Sequence, residues 1–181
     1  MRPMKFRATF LVLAAALLSS VAPAMADNFL DQFVAVQVEN PKPLPLAIDD
    51  SFEFGKSKLL YVPTDNAPET LEKMVREETD RIFYGCVTNL DKEARLGNYY
   101  TFFWKAKRAA NVTVRLEYRQ AKYGDFVQAQ ELSYENADGK AMSKFAVIGD
   151  SFKEGGQVTS WRCEIIEDGK VVALTHSYLW K

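Results

Sequence analysis

Hydrophobic and polar residues alternate with a period of two through most of the chain after Asn98. In residues 112–119 the even-numbered positions are Val, Val, Leu and Tyr, and the odd-numbered positions are Thr, Arg, Glu and Arg. Strand side chains point alternately to opposite faces, so this pattern predicts a strand covered on one face and hydrated on the other. Six segments show such alternation: GNYYTFFWKA, NVTVRLEYRQ, DFVQAQELSYEN, MSKFAVIG, QVTSWRCEII and KVVALTHSYLW.

Residues that favour turns separate these segments, at KRAAN, KYGD, NADGK, GDSFKEGG and EDGK. The pairs Asp138-Gly139 and Asp168-Gly169 are hairpin signals, because a tight primed turn needs positive φ at both central residues. One more short strand is predicted at residues 58–62, before a proline. About seven antiparallel strands at short, even spacing indicate a mainly β fold, and we expect an antiparallel β-sandwich.

The segment TDNAPETLEKMVREETDRIFYG has helical periodicity and predicts one amphipathic helix over about residues 67–84. Asn66 is placed to cap the first turn, Glu69 to reach back to it, and Gly85 to end the helix. One side of the helix is apolar, and its members are Leu71, Met74, Val75, Ile82 and Phe83. We therefore expect this helix to flank the sheet on one surface.

The first 26 residues, MRPMKFRATFLVLAAALLSSVAPAMA, have the layout of a cleavable secretory signal peptide. A basic start precedes an apolar run that is about half the roughly 20 residues needed to span a bilayer, and small residues follow. We expect cleavage after Ala26 and a periplasmic or secreted mature protein without an integral membrane segment. Residues 27–57, which include PKPLPL, are predicted to form an extended strap, and residues 58–181 a single β-rich domain.

The charge balance argues against nucleic acid as a partner. The formal net charge is -1, and removing the three basic residues of the predicted signal peptide lowers it to -4. Binding to phosphates needs clustered lysine and arginine, whereas acidic residues interleave with basic ones in most of this chain. We expect a protein or a component of the cell envelope as the partner.

The two cysteines are expected to have a structural role. Export places them in an oxidising compartment, where thiol pairs tend to close, and Cys163 shares an apolar strand face with Trp161 and Ile165. Either a disulfide between Cys86 and Cys163 or two inert buried thiols fits this pattern, with the disulfide favoured.

Cys86, Trp104 and the sequence Trp161-Arg162-Cys163 resemble the Cys, Trp, Cys framework of immunoglobulin-like β-sandwich domains. The resemblance covers about residues 84–181. It implies that the two cysteines bridge two packed sheets and that a tryptophan packs on the bridge. The predicted helix before Cys86 and the long spacing from there to Trp104 depart from the family pattern.

The candidate chemistry does not assemble into a catalytic site. His176 is the only histidine, and the strand register expected for the last hairpin places it two or three residues beyond the position opposite Cys163. Two cysteines and one histidine make a poor zinc site, and the chain has no GxSxG motif. Acidic pairs such as Asp49-Asp50, with the nearby Glu53, are interpreted as solvated charges. We predict no catalytic residue, no metal and no cofactor.

Aromatic residues crowd the strand that begins near Asn98: Tyr99, Tyr100, Phe102, Phe103 and Trp104. Alternation cannot bury all five on one face. Either both faces of this strand are covered, or one face presents aromatic rings to a partner. On the second interpretation Tyr99, Phe103 and the later Tyr178 are the candidate binding residues.

These observations favour an exported, non-enzymatic binding or interaction module of the bacterial cell envelope or secretome. Two alternatives stay open. A small outer-membrane β-barrel is suggested by the alternating strands and the terminal sequence SYLWK. An enzyme would have to use surface carboxylates or the Cys163 and His176 pair.

Overall fold

The computed structural model describes residues 29–64 and 73–181. The predicted signal peptide, residues 1–26, and the first part of the predicted helix, residues 67–72, lie outside the described residues. The described part of the chain contains a short 3-10 helix, three α-helices and six β-strands. In chain order these are the 3-10 helix Phe29–Gln32, β1 Val36–Val38, β2 Phe52–Val62, α1 Lys73–Phe83, α2 Asn89–Glu93, β3 Gly97–Gln120, β4 Val127–Ile148, α3 Gly149–Gly155, β5 Val158–Glu167 and β6 Lys170–His176.

The fold is mainly β, as predicted, and the six strands form one open antiparallel sheet. The strand order is β1-β4-β3-β5-β6, and β2 also pairs with β3. The expected sandwich is not confirmed, because every strand of the described residues is hydrogen-bonded into this sheet. β4 pairs along one edge of β3, while β2 and β5 share the other edge: β2 pairs with residues 97–106 and β5 with residues 113–120.

Two predicted turns are bulges within long strands. KRAAN and NADGK lie opposite each other, because Ala106 pairs with Gly139 and Ala110 pairs with Ala137. Unequal numbers of residues between these pairs shift the register, and a bulge of this kind bends a strand without ending it. The predicted hairpin at Asp138-Gly139 is therefore wrong, and four predicted segments merge into the long strands β3 and β4.

The second hairpin signal is confirmed. Asp168 and Gly169 have φ values of 48° and 72° and join β5 to β6 in a tight turn. Positive φ at both positions is what a primed turn needs, and its twist matches that of the strands it connects.

The alternation along β3 divides the molecule into an inner and an outer side. Even-numbered positions of β3 point to the inner side, where they form the main core with side chains from β2, β4, β5 and β6. The largest of the fully buried side chains there are Tyr118, Phe102, Phe145, Leu116 and Ile165. Odd-numbered positions point to the outer side, where Tyr99 packs with Val62 and Ile82 in a second, smaller cluster.

The predicted strap covers the last strand of the sheet. Pro45 accepts a hydrogen bond from the backbone N–H of Val171, and Ala47 donates one back to Val171. The backbone N–H of Asp49 then bonds the carbonyl oxygen of Val172. These bonds satisfy backbone groups of an edge strand that would otherwise be open to pairing. The strap is not separate from the sheet, because residues 27–57 also contribute β1 and the first half of β2.

An arginine joins the end of the strap to the hairpin between β5 and β6. Arg108 Nη1 lies 2.6 Å from Glu167 Oε1, and Arg108 Nη2 lies 2.9 Å from Asp49 Oδ2. The guanidinium also stacks over the ring of Phe52, 4.8 Å from its centroid. A hydrogen bond from Ser51, followed by the one from Arg108, lowers the pKa of Asp49 to about 2.

We expect the Asp49→Asn variant to lose the part of the folding stability that depends on an ionised Asp49 carboxylate. The folded pKa lies below the value of about 4 in an unfolded chain, so the carboxylate stabilises the fold above about pH 4. That stabilisation is lost as the pH falls towards 2. The urea midpoint of the variant should lie below that of the wild type at pH 6, and the two should converge near pH 2.

Asp50→Asn is the matched control, because Asp50 contacts Lys107 through its backbone carbonyl. Its midpoint should follow the wild-type pH profile. A constant difference between Asp49→Asn and the wild type from pH 6 to pH 2 would contradict the assigned role of Asp49.

Candidate functional site

An open groove lies on the outer face of the sheet, over β2, β3 and β4. Its floor consists of rows of side chains across these strands, because residues directly opposite each other in paired strands point to the same face. Tyr99 is opposite Leu60 on β2 and Ala146 on β4. Two residues further along β3, Thr101 is opposite Lys58 and Lys144.

The next row of the floor is apolar again. Phe103 on β3 is opposite Met142 on β4. Phe103 is half-buried, whereas 44% of Met142 is exposed. The floor therefore alternates between an apolar row, a row with two lysines, and a second apolar row.

Two helical segments form the walls of the groove. On one side the 3-10 helix and the residue that follows it place the rings of Phe29 and Phe33 against Tyr99, with centroid distances of 5.9 Å and 5.4 Å. On the other side α1 presents Met74 and Val75 to the groove. Met74 is 70% exposed. Apolar side chains thus reach the groove from both walls as well as from the floor.

The position of α1 is fixed at its carboxyl end. Arg95 Nη1 donates hydrogen bonds to the carbonyl oxygens of Ile82 and Tyr84, at 2.5 Å and 2.9 Å. A cation at this end of a helix is also favoured by the helix dipole. The helix ends at Phe83, and Gly85 follows with φ of 80°, the left-handed conformation expected at a glycine stop.

The groove is large enough for a small molecule. Its volume is about 820 Å³. Ligand sites in proteins commonly measure about 300–1,000 Å³ and combine apolar walls with a few polar groups.

Four charged side chains line the groove. Glu78 Oε1 lies 4.0 Å from Lys58 Nζ and 3.6 Å from Arg81 Nη1. Lys144 Nζ donates a hydrogen bond to the amide oxygen of Gln32, at 2.6 Å. Three cations therefore surround the groove with one carboxylate among them.

The structure brings together two of the three aromatic residues predicted to bind a partner. Tyr99 and Phe103 both line the groove, whereas Tyr178 does not and is 93% exposed beyond the end of β6. Tyr99 is itself buried, and burial raises the pKa of its hydroxyl. This hydroxyl donates a hydrogen bond to the carbonyl oxygen of Arg95. Tyr99 is thus a packed part of the floor, and Phe103 offers the more accessible ring.

The predicted disulfide does not form in the structure, in which Cys86 and Cys163 are both free. The sheet lies between them. Cys163 is fully buried in the inner core, where it is opposite Leu116 of β3. Cys86 follows α1 on the outer side, near Tyr99, and its thiol adds to the effect of burial in raising the pKa of that tyrosine. The inter-sheet bridge implied by the immunoglobulin-like resemblance is therefore absent.

Cys163 and His176 also lie on different sides of their hairpin. Cys163 is opposite Thr175, and His176 is opposite Arg162. The thiol points into the core, whereas His176 is exposed and its Nδ1 lies 2.9 Å from the carbonyl oxygen of Ser177. The register places the two residues closer than the sequence indicated, but alternation directs their side chains apart.

Sequence reasoning missed a buried charge network on the outer face, at the β5 end of the sheet. Arg162 Nη2 donates to Glu117 Oε2 at 2.6 Å, and Arg115 Nε donates to Glu131 Oε1 at 2.6 Å. Arg162 Nε lies 2.9 Å from Glu164 Oε1, but not in a hydrogen-bonding geometry. Glu117 and Glu164 are only 4% and 2% exposed, so the face predicted to be hydrated is covered here.

The carboxyl-terminal residues provide part of this cover. The Trp180 ring lies 4.3 Å from the guanidinium carbon of Arg119 and 5.2 Å from that of Arg162. Burial, followed by the nearby charge of Glu117, raises the pKa of Glu164. Arg162 pairs with Glu117, and the Trp180 ring lies over the guanidinium group of the same arginine. We therefore assign the network to holding the chain terminus against the sheet.

Residues 29–64 and 73–181 contain neither a candidate metal cluster nor a helix that could span a membrane. In these ranges no three His, Cys, Asp or Glu side chains are grouped so that they could hold a metal ion. No helix in the same ranges has the length and apolar character needed to cross a membrane.

Comparisons with known proteins identify no relative. No family model, no curated protein and no solved structure matches the chain. The groove and the sequence are therefore the features that bear on function.

We expect the two thiols to differ strongly in reactivity. Burial raises the pKa of Cys163 well above its usual value, and the thiolate is the reactive form. Cys86 is half-buried at the surface. Iodoacetamide should add one group to the native protein and a second after unfolding in urea without reductant, as measured by intact mass.

The Cys86→Ser variant is the control and should take up no label until it is unfolded. If the wild type stays unlabelled in urea until a reductant is added, the cysteines are bridged and the assignment of two free thiols is wrong.

Proposed function

We propose that this protein is an exported, non-enzymatic binding module of the cell envelope that holds an apolar ligand in the outer-face groove. The observation that carries the proposal is the groove itself. It has apolar side chains on its floor and both walls, and it is open to solvent at Met74 and Met142.

Exposed apolar surface inside a concave site is a source of binding energy. Removing apolar surface from water stabilises a complex by roughly 25 cal/mol per Å². A groove bordered by Phe33, Met74, Phe103 and Met142 offers such surface on several sides at once. Flat protein interfaces of standard size bury far wider areas, so the concave shape favours a small ligand over a protein partner.

The sequence supports the cellular part of the proposal. Residues 1–26 have the pattern of a secretory signal peptide, which would deliver the domain to the cell envelope. Apolar molecules in that compartment need a carrier or a binding site to leave a membrane. A groove of this size and character suits the binding of such a molecule.

The test uses the neutral fluorescent probe N-phenyl-1-naphthylamine, whose emission rises in apolar surroundings. The wild type should bind it saturably, at about one probe per chain. Met142→Glu and Met74→Glu place a charge on the floor and on one wall. Each should weaken binding about tenfold, since a partly buried methionine contributes on the order of 1–2 kcal/mol to apolar contact.

Tyr178→Glu is the matched control, because Tyr178 is an exposed aromatic outside the groove. It should bind the probe as the wild type does. Circular dichroism of each variant shows whether the fold is retained. The proposal fails if the wild type shows no saturable binding, or if folded Met142→Glu and Met74→Glu bind as tightly as Tyr178→Glu.

A further inference from the structure

The row of Lys58, Thr101 and Lys144 places two cations between two apolar rows in the floor of the groove. Both lysines are register partners of the same threonine, one on each side. Adjacent strands lie about 4.8 Å apart, so the Cα atoms of the two lysines are roughly 10 Å apart. Both flexible side chains can therefore reach a single anion placed over Thr101.

The charges around the groove do not balance. Glu78 is the one carboxylate among the lining residues, and it is shared by Lys58 at 4.0 Å and Arg81 at 3.6 Å. Lys144 bonds a neutral amide, that of Gln32. The groove thus carries an excess of two positive charges, although the formal net charge of the whole chain is -1.

A second cationic row lies further along the same face. Lys105 of β3 is opposite Lys140 of β4, with Glu53 of β2 on the other side. Like charges directly opposite each other are unfavourable in a sheet, and the one carboxylate in this row, that of Glu53, offsets only one of the two lysines. The apolar row of Phe103 and Met142 is therefore bracketed by cations on both sides.

We infer that the ligand of the groove is a single-chain acidic amphiphile, namely a long-chain fatty acid in its carboxylate form. The carboxylate lies over Thr101, between Lys58 and Lys144. The alkyl chain extends from there in one direction, over the apolar row of Phe103 and Met142, because Tyr99 in the row on the other side is buried. This inference rests on the proposed function and adds the chemical class of the ligand.

The experiment measures displacement of N-phenyl-1-naphthylamine from the full chain by three amphiphiles of equal length: dodecanoate, dodecan-1-ol and dodecylammonium. The readout is the ratio of the displacement constants, so a change in overall binding strength cancels. Dodecanoate should displace the probe at about a fivefold or more lower concentration than the alcohol, and dodecylammonium should be the weakest. Exposed ion pairs of this kind are each worth only a few-fold.

The variants identify the cations responsible. Lys58→Gln/Lys144→Gln should bring the ratio of dodecanoate to dodecan-1-ol close to one. Lys122→Gln/Lys170→Gln removes the same charge at residues that do not line the groove, and it should keep the wild-type preference. Raising the salt concentration to 0.5 M should reduce the preference in the wild type and have little effect in the groove variant.

Several outcomes would overturn the inference. If all three amphiphiles displace the probe equally, the groove binds apolar molecules regardless of the charge of their head groups. The inference is then wrong, while the proposed function still holds. A preference that persists in Lys58→Gln/Lys144→Gln locates the anion elsewhere. If vesicles containing an anionic phospholipid capture the protein while free dodecanoate does not displace the probe, the ligand is a membrane surface. Failure of the probe to bind the wild type would remove both the inference and the proposed function.

Discussion

The pairing of β3 is the constraint on which the rest of the molecule depends. This strand has 24 residues, whereas strands in globular proteins usually have 3–10. At about 3.3 Å per residue a straight strand of this length would extend well beyond a compact domain. The bulges around Ala110 bend it together with β4, and the inner face then encloses one continuous core. Because β4 occupies one edge throughout, β2 and β5 must share the other.

Alternation along β3 also gives its outer face two different surfaces. At the β2 end the odd-numbered positions are Tyr99, Thr101 and Phe103, which form the floor of the groove. At the β5 end, Glu117 pairs with an arginine beneath the ring of Trp180. Breaking a buried ion pair leaves an unpaired charge at a cost of about 3–5 kcal/mol. The outer face is therefore covered by paired charges at its β5 end and open at its β2 end.

The sequence predicted most strands, because alternation is a local property. It could not distinguish a turn from a bulge, because the residues of NADGK favour both kinds of structure. The predicted disulfide is absent from the structure. The spacing of Cys86 and Cys163 along the sequence does not show that a sheet lies between them. Tyr99 and Phe103 were found because they lie four positions apart in one strand, and an even separation puts both on the same face. Lys58 and Lys144 lie 86 positions apart, and only the register places them beside the same threonine.

The groove follows from the sequence of its floor. α1 packs closely where the floor is apolar, and Ile82 is buried there against Val62 and Tyr99. One row further along β3, two lysines replace the apolar partners, and their ammonium groups cannot be buried under a helix without an opposite charge. Glu78 is the one carboxylate that α1 contributes to the groove. The helix therefore cannot close over this row, and the apolar side chains of Met74 and Phe103 remain separated by a space that a charged, partly apolar molecule fits.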